Sequence, residues 1–142
     1  EVVVVAPEAP HSACGHQVTL WSPIKASRLC PGHYRVYGTP ADCARLALKV
    51  FAPDADWLIA GINPGANLGS DVYQSGTVAA AREAAILGFR AVAVSQYIAP
   101  AVDIDWKTTG ACALNVLERL FQLPLAPGFL RSRVARLLPC SR

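Results

Sequence analysis

The sequence predicts an α/β fold of three layers around a mostly parallel sheet. Three observations lead there: short apolar runs at Val2–Ala6, Trp57–Ala60 and Phe89–Ser95, capped helical patterns between them, and a repeat of strand and helix over roughly 30 residues. Such alternation means βαβ units with right-handed crossovers. The 142 residues suit one domain, and 53% apolar against 16% charged residues favours elements that are mostly buried.

The opening Val2–Ala6 run is β-branched and uninterrupted, which predicts a strand covered on both faces, ended by Pro7. Residues 8–16 read as a polar loop. Val18–Trp21 and His33–Tyr37 read as strands of an irregular excursion joined through Pro23, Pro31 and Gly32. Thr39-Pro40-Ala41-Asp42 then starts a helix, with Thr as N-cap, Pro at N1 where its missing N–H is not needed, and Asp at N3 reaching back as in a capping box. Leu46, Ala47 and Val50 supply its expected buried stripe, and Pro53 closes it. After the Trp57–Ala60 strand and a Gly/Asn loop, a helix runs from about Gly76 to Leu87 and stops at Gly88. The Phe89–Ser95 strand leads to a helix from Asp103 to about Leu120, with Pro124 and Pro127 beyond it.

Composition excludes several classes. No apolar run reaches the ~18 residues of a membrane span, and the first residues carry no basic leader, so a cytoplasmic chain is expected. A sequence that opens mid-strand without Met reads as a fragment. The net charge of +3 is concentrated in Arg131, Arg133, Arg136 and Arg142; without them 9 basic residues face 10 acidic ones. The body therefore has no electrostatic footprint for nucleic acid. The Arg-rich tail could meet phosphates, though a solvated tail is the simpler reading. Five cysteines (Cys14, Cys30, Cys43, Cys112 and Cys140) show no CxxC or Cys/His zinc spacing, which suits a reduced compartment. Cys43 and Cys112 fall in helical patterns and are expected in the core. Cys14 shares a polar loop with His11 and His16, where metal ligation is conceivable.

The chemistry is concentrated in Gly61-Ile62-Asn63-Pro64-Gly65-Ala66-Asn67-Leu68-Gly69-Ser70-Asp71 and the Ser75-Gly76-Thr77 that follows. This segment leaves the C-terminal end of a strand and enters a helix N-terminus, where open α/β sheets bind ligands. Glycines permit close backbone approach, and the unpaired N–H groups of a helix start favour an anion. Asn63 and Asn67 offer carbonyl oxygens to a hard cation and amide donors to a phosphate. Ser75 and Thr77 add hydroxyls, so the set suits a phosphate beside Mg²⁺ or Mn²⁺. The same residues are also ordinary turn formers, and Ser75 serves equally as a plain N-cap. The loop is neither a Walker A nor a GxGxxG motif.

Gly61 to Gly69, Asp71-Val72-Tyr73, Ser75 to Glu83 and Ala91-Val92-Ala93-Val94-Ser95 strongly resemble the SurE family, the survival-protein nucleotidases. The likeness extends back through Tyr37 to Cys43 and Val4 to Pro7 and covers roughly residues 1–128. It implies a Rossmann-like core, a divalent metal ion (Mg²⁺ or Mn²⁺), hydrolysis of nucleoside 5′- and 3′-monophosphates or other phosphomonoesters, and a homo-oligomer. Ser12 and Asn63 fall on the family's metal-binding serine and asparagine. Asn67, Ser75, Gly76 and Thr77 fall where the family lines its phosphate pocket, which implies catalytic roles for Asn67, Ser75 and Thr77. Gln74 stands where many members have Tyr or Ile.

Two departures bear on activity. The family opens with a strand ending in Asn-Asp-Asp-Gly, whose aspartates hold the metal, whereas this sequence starts at the family's second strand, about thirty residues later, one βα unit. After Pro127-Gly128-Phe129-Leu130 it turns into Arg131-Ser132-Arg133, unlike the family's next strand. The expectation is therefore a partial SurE-like phosphatase domain over residues 1–130 and a divergent Arg-rich tail over 131–142, with impaired phosphomonoesterase activity. The alternative is a non-catalytic remnant that binds phosphate or serves as an interaction module.

Overall fold

Six strands form two separate three-stranded sheets in a computed structural model that describes residues 1–98, 103–124 and 130–135. The first sheet holds β1 (Val4–Pro7), β2 (Ala26–Cys30) and β3 (His33–Val36) in the order β1-β3-β2. The second holds β4 (Trp57–Pro64), β5 (Arg90–Gln96) and β6 (Leu130–Ala135) in the order β4-β5-β6. Only the β2–β3 pair is antiparallel, so the fold is the mixed, mostly parallel α/β class expected, divided between two sheets. The helices are α1 (Pro40–Leu46), α2 (Asp71–Gln74), α3 (Gly76–Ile86) and α4 (Trp106–Phe121).

Around β4 and β5 the three layers are plain. Ala91 and Ala93 face Val78, Ala81 and Ala84 of α3, whereas Val92 and Val94 face Ala113 and Leu120 of α4. Alternation along one strand thus serves two helices, and small residues on the α3 side let helix and sheet approach closely. Trp57 closes one end against Phe121, with ring centroids 4.9 Å apart.

Several expectations change. Val18–Trp21 is not a strand; Leu20 is 62% and Trp21 94% exposed. The partner of β3 is instead β2, because Pro31-Gly32 makes a tight hairpin turn in which Gly32 has φ +73°. β1 is not covered on both faces, since Val4 is 42% exposed at the open end of its sheet. The stripe expected from Leu46, Ala47 and Val50 is displaced. The chain widens into a π-turn over Ala47–Phe51, closed by Ala52 N–H to the Ala47 carbonyl at 2.7 Å, which turns Leu48 inward and leaves Val50 61% exposed. Phe51 then stacks on Tyr34, centroids 3.9 Å apart. β4 runs on to Pro64, and α4 starts at Trp106 behind an Asp105 N-cap. Cys43 is buried as expected, but Cys112 is only half-buried. Arg131 and Arg133 lie within β6, parallel to β5, while Pro127, Arg136, Cys140 and Arg142 fall outside the described residues.

The capping box at α1 forms as read, and it does more than cap. Asp42, fully buried, accepts from Thr39 N–H at 3.0 Å and from the Thr19 N–H and hydroxyl at 2.9 and 2.7 Å. Thr39 in turn accepts from Asp42 N–H and donates its hydroxyl to the Gln17 carbonyl at 2.6 Å. The excursion between β1 and β2 is thereby tied to the start of α1. Burial pushes the Asp42 carboxyl up, but the hydrogen bonds from Thr19 and Thr39 together outweigh it and hold its pKa below the ordinary aspartate value. A carboxylate held down in this way stabilises the fold above its unfolded pKa and ceases to as pH falls through its folded pKa. Asp42→Ala is expected to cost about 3 kcal/mol in urea unfolding at pH 7 and to flatten the stability loss that the parent chain shows below about pH 4.

Candidate functional site

A cleft of about 1330 Å³ separates β1 from β4, and Ser12, Asn63, Asn67, Ser75, Gly76 and Thr77 all line it. Ser12 is exposed on the loop that follows β1. Asn63 comes from the end of β4, Asn67 from the loop after it, and Ser75, Gly76 and Thr77 from the start of α3.

Each side chain is aimed by a local device. Between Ala60 and Asn63 the β4–β5 register shifts, so Gly61 and Ile62 bulge and Asn63 resumes pairing opposite Ser95. Gly61 has φ +116°, and a Cβ there would lie 2.2 Å from the Val94 carbonyl oxygen, so no other residue fits. Asn63 donates its amide to the Gly65 carbonyl at 2.8 Å, which leaves its own carbonyl oxygen to offer a ligand. Buried Asn67 donates to the Ser95 hydroxyl at 2.6 Å, pinning the loop to β5. Ser75 caps α3 by accepting from Val78 N–H at 3.2 Å and keeps its hydroxyl proton to donate. The N–H groups of Gly76 and Thr77 belong to the first helical turn, which has no intrahelical partner for them. At Gly76 a Cβ would meet Pro40 Cγ at 2.9 Å, Cys14 Sγ at 3.1 Å and the His11 carbonyl at 3.2 Å, so the loop after β1 and the start of α3 touch through a hydrogen atom.

Two features had no signal in residue spacing. Ser95 is 28 positions from the Asn67 it holds. His16 pairs with Glu83 at 2.7 Å, and Arg45 Nε lies 3.6 Å from the other Glu83 oxygen, which fastens the Ser12 loop to the middle of α3. Cys14 belongs to no metal-holding group of side chains among the described residues. Among the described residues no three His, Cys, Asp or Glu side chains are grouped to hold an ion. The buried Cys43 thiol is pushed up to about 12, by burial first and then by the Asp42 charge, so it is no thiolate ligand.

As a cation site the donor set is partial. Ser12 and Asn63 present neutral oxygens, and Mg²⁺ or Mn²⁺ normally demands at least one carboxylate. As an anion site it is stronger, because a helix N-terminus, two hydroxyls and an amide converge on one opening.

The family model "Survival protein SurE" matches residues 1–135. The chain belongs to the SurE family. A "5'-nucleotidase SurE" of Mesorhizobium japonicum is 40% identical over 134 residues, covering 92% of this chain and 53% of that protein. Another, of Methylococcus capsulatus, is 44% identical over 126 residues, covering 88% and 49%. The crystal structure of a SurE protein from Aquifex aeolicus is also similar, with TM-score 0.75 and 36% identity over 87% of this chain and 51% of that one. The chain thus spans about half the length of the SurE relatives it matches. The match includes β6. No helix among the described residues is long and apolar enough to cross a membrane.

The Asn67–Ser95 bond gives a direct stability test. Asn67→Ala and Ser95→Ala are each expected to cost about 1–2 kcal/mol, and the double variant less than their sum, because each single change strands the other's buried polar group. Chemical unfolding of the four proteins measures that coupling.

Proposed function

We propose that this chain carries the phosphate-binding part of a SurE-type phosphomonoesterase that hydrolyses nucleoside 5′- and 3′-monophosphates with a divalent metal ion. The observation behind it is the convergence of Ser12, Asn63, Asn67, Ser75, Gly76 and Thr77 on one cleft, from elements far apart in sequence. The similarity to proteins named 5'-nucleotidase supports the reaction class. In this reading the α3 N–H groups of Gly76 and Thr77, with the Ser75 and Thr77 hydroxyls, seat the phosphate and stabilise the charge that builds on its oxygens. Asn67, immobilised by Ser95, directs its remaining amide proton to the same group. Ser12 and Asn63 would hold Mg²⁺ or Mn²⁺, which when bound neutralises phosphate charge and lowers the pKa of water. Those two neutral oxygens would need further oxygen ligands to complete the ion's shell. The parent protein is taken as a cytoplasmic homo-oligomer.

The neutral character of that donor set favours one second reading, a module that binds phosphate without turnover. A chimera joining this chain to the unmatched remainder of the Mesorhizobium relative separates the two. It is expected to hydrolyse p-nitrophenyl phosphate and nucleoside monophosphates with Mn²⁺. Asn63→Ala should remove most of that activity through kcat, whereas Ser75→Ala or Thr77→Ala should raise KM tenfold or more, the loss of about 1.5–3 kcal/mol for a hydrogen bond to a charged group. A folded, metal-loaded and inert chimera would overturn the enzymatic reading. Undiminished turnover in Asn63→Ala would remove the metal role from that residue alone.

A further inference from the structure

On the α4 side of the second sheet, two buried oxygens have no hydrogen-bond partner among the described residues. They are Gln96 Oε1 at the end of β5 and Thr109 Oγ1 in the first turn of α4. Gln96 is 6% and Thr109 2% exposed. Folded proteins rarely leave such atoms unpaired, because burial has already cost each its hydrogen bonds to water. Reversing the Gln96 amide does not remove the difficulty. Its Nε2 donates to the Tyr97 carbonyl at 3.2 Å, and an oxygen in that place would be repelled, so Oε1 is the atom left without a donor.

The two oxygens belong to one place. Val92 and Val94 pack with Ala113 and Leu120 of α4, and Gln96, the next residue but one after Val94, stands on the same face of β5. Thr109 lies one turn before Ala113 on the same face of α4. α4 returns from the end of β5 to the start of the parallel β6, so it runs against β5. One step beyond the layer of Val94 and Ala113 therefore brings Gln96 and Thr109 opposite each other. They are not bonded to one another, so the space between them is wider than one hydrogen bond. Gln96 also reaches the candidate site through its backbone. Its carbonyl accepts from Gly65 N–H at 3.0 Å, and the Gly65 carbonyl accepts the Asn63 amide at 2.8 Å.

We propose that one buried water bridges Gln96 Oε1 and Thr109 Oγ1, and that through Gln96 it fixes the loop carrying Asn63. Water is the ligand whose chemistry fits. It donates to an amide oxygen that can only accept, and it accepts from a hydroxyl that is free to donate. A cation would need more oxygens than these two neutral ones, and an anion would be repelled by the amide oxygen. Two partners suffice for an internal water, and a bridging water holds its partners nearly as well as a direct bond does. Contacts then run from α4 through the water to Gln96, Gly65 and Asn63, which makes Thr109 and Gln96 positioning residues of the candidate site. Nothing in this depends on what Asn63 goes on to bind.

Hydrogen exchange at the Gly65 amide, followed by NMR in the 142-residue chain, tests the bridge without reading activity. Thr109→Val keeps the side-chain shape and removes the hydroxyl, and should speed that exchange at least about fivefold, as the loss of one hydrogen bond predicts. Thr109→Ser keeps the hydroxyl and should stay within about twofold of the parent. Gln96→Met removes the oxygen at the other end of the bridge. Adding Thr109→Val to it should have little further effect, since both changes release the same water. A high-resolution crystal structure should show one solvent peak within hydrogen-bond distance of both oxygens. Should Gln96→Met fail to fold, the two Thr109 variants and the density still decide. Unchanged Gly65 exchange in Thr109→Val, or equal acceleration by Thr109→Val and Thr109→Ser, would overturn the proposal. So would density that places the Thr109 hydroxyl on the Asp105 carbonyl, a direct Gln96–Thr109 bond, or an ion in place of the water.

Discussion

The two sheets share no strand pairing among the described residues, so their relative position rests on the packing of α1 against α3. α1 lies on β1, α3 lies on β4 and β5, and the two helices pack on each other; both are rich in small buried residues, Ala41, Cys43 and Ala44 on one and Ala79, Ala81 and Ala84 on the other. Small residues at a helix crossing bring the axes close and leave little room for sliding. Pro40 against Gly76 and Arg45 against Glu83 extend the same contact at the helix surfaces. A larger residue anywhere on this seam would spread the sheets and with them the walls of the cleft. Site geometry and helix packing are one quantity here.

The end of the cleft proposed to seat phosphate is arranged so that few groups depend on a ligand for their position. Ser75 is fixed by its cap, Asn63 by Gly65 and Asn67 by Ser95. Donors that are already oriented lose little entropy when an anion arrives, which is how neutral groups attain useful affinity for charge. Ser12 stands apart. It is exposed, and its loop is held through neighbours, by Gly15 to Gln74 and His16 to Glu83.

Local rules were legible in the sequence wherever a few adjacent residues decide the outcome. Thr39-Pro40-Ala41-Asp42 gave a capping box, Ser75 an N-cap and Gly88 a stop, because each acts on backbone groups within one turn. The Gly/Asn loop was legible for the same reason as the joint between a strand end and a helix start. What could not be read was set by remote partners. Val18–Trp21 has strand composition, yet the Pro31-Gly32 turn commits β3 to Ala26–Cys30 instead. Val50 has the right spacing for a helical stripe, but the π-turn changes the period beneath it. Ser95 reads as the end of a buried strand, and only the fold reveals that it anchors Asn67. The division into two sheets was invisible for a similar reason: an unpaired edge is a property of what lies beside a strand, not of the strand's own residues.

The hydrogen bonds around Asp42 have a consequence for how this chain is cleaved. The long irregular segment between β1 and β2 looks like ready protease substrate, with Leu20 and Trp21 outermost. Yet Thr19 and Gln17 are fastened to the first turn of α1, so the backbone beside Trp21 stays held against the protein until that turn comes undone. Nicking near Trp21 would thus report on the integrity of the helix rather than on the freedom of the loop, and its rate would follow the population of molecules whose α1 has frayed.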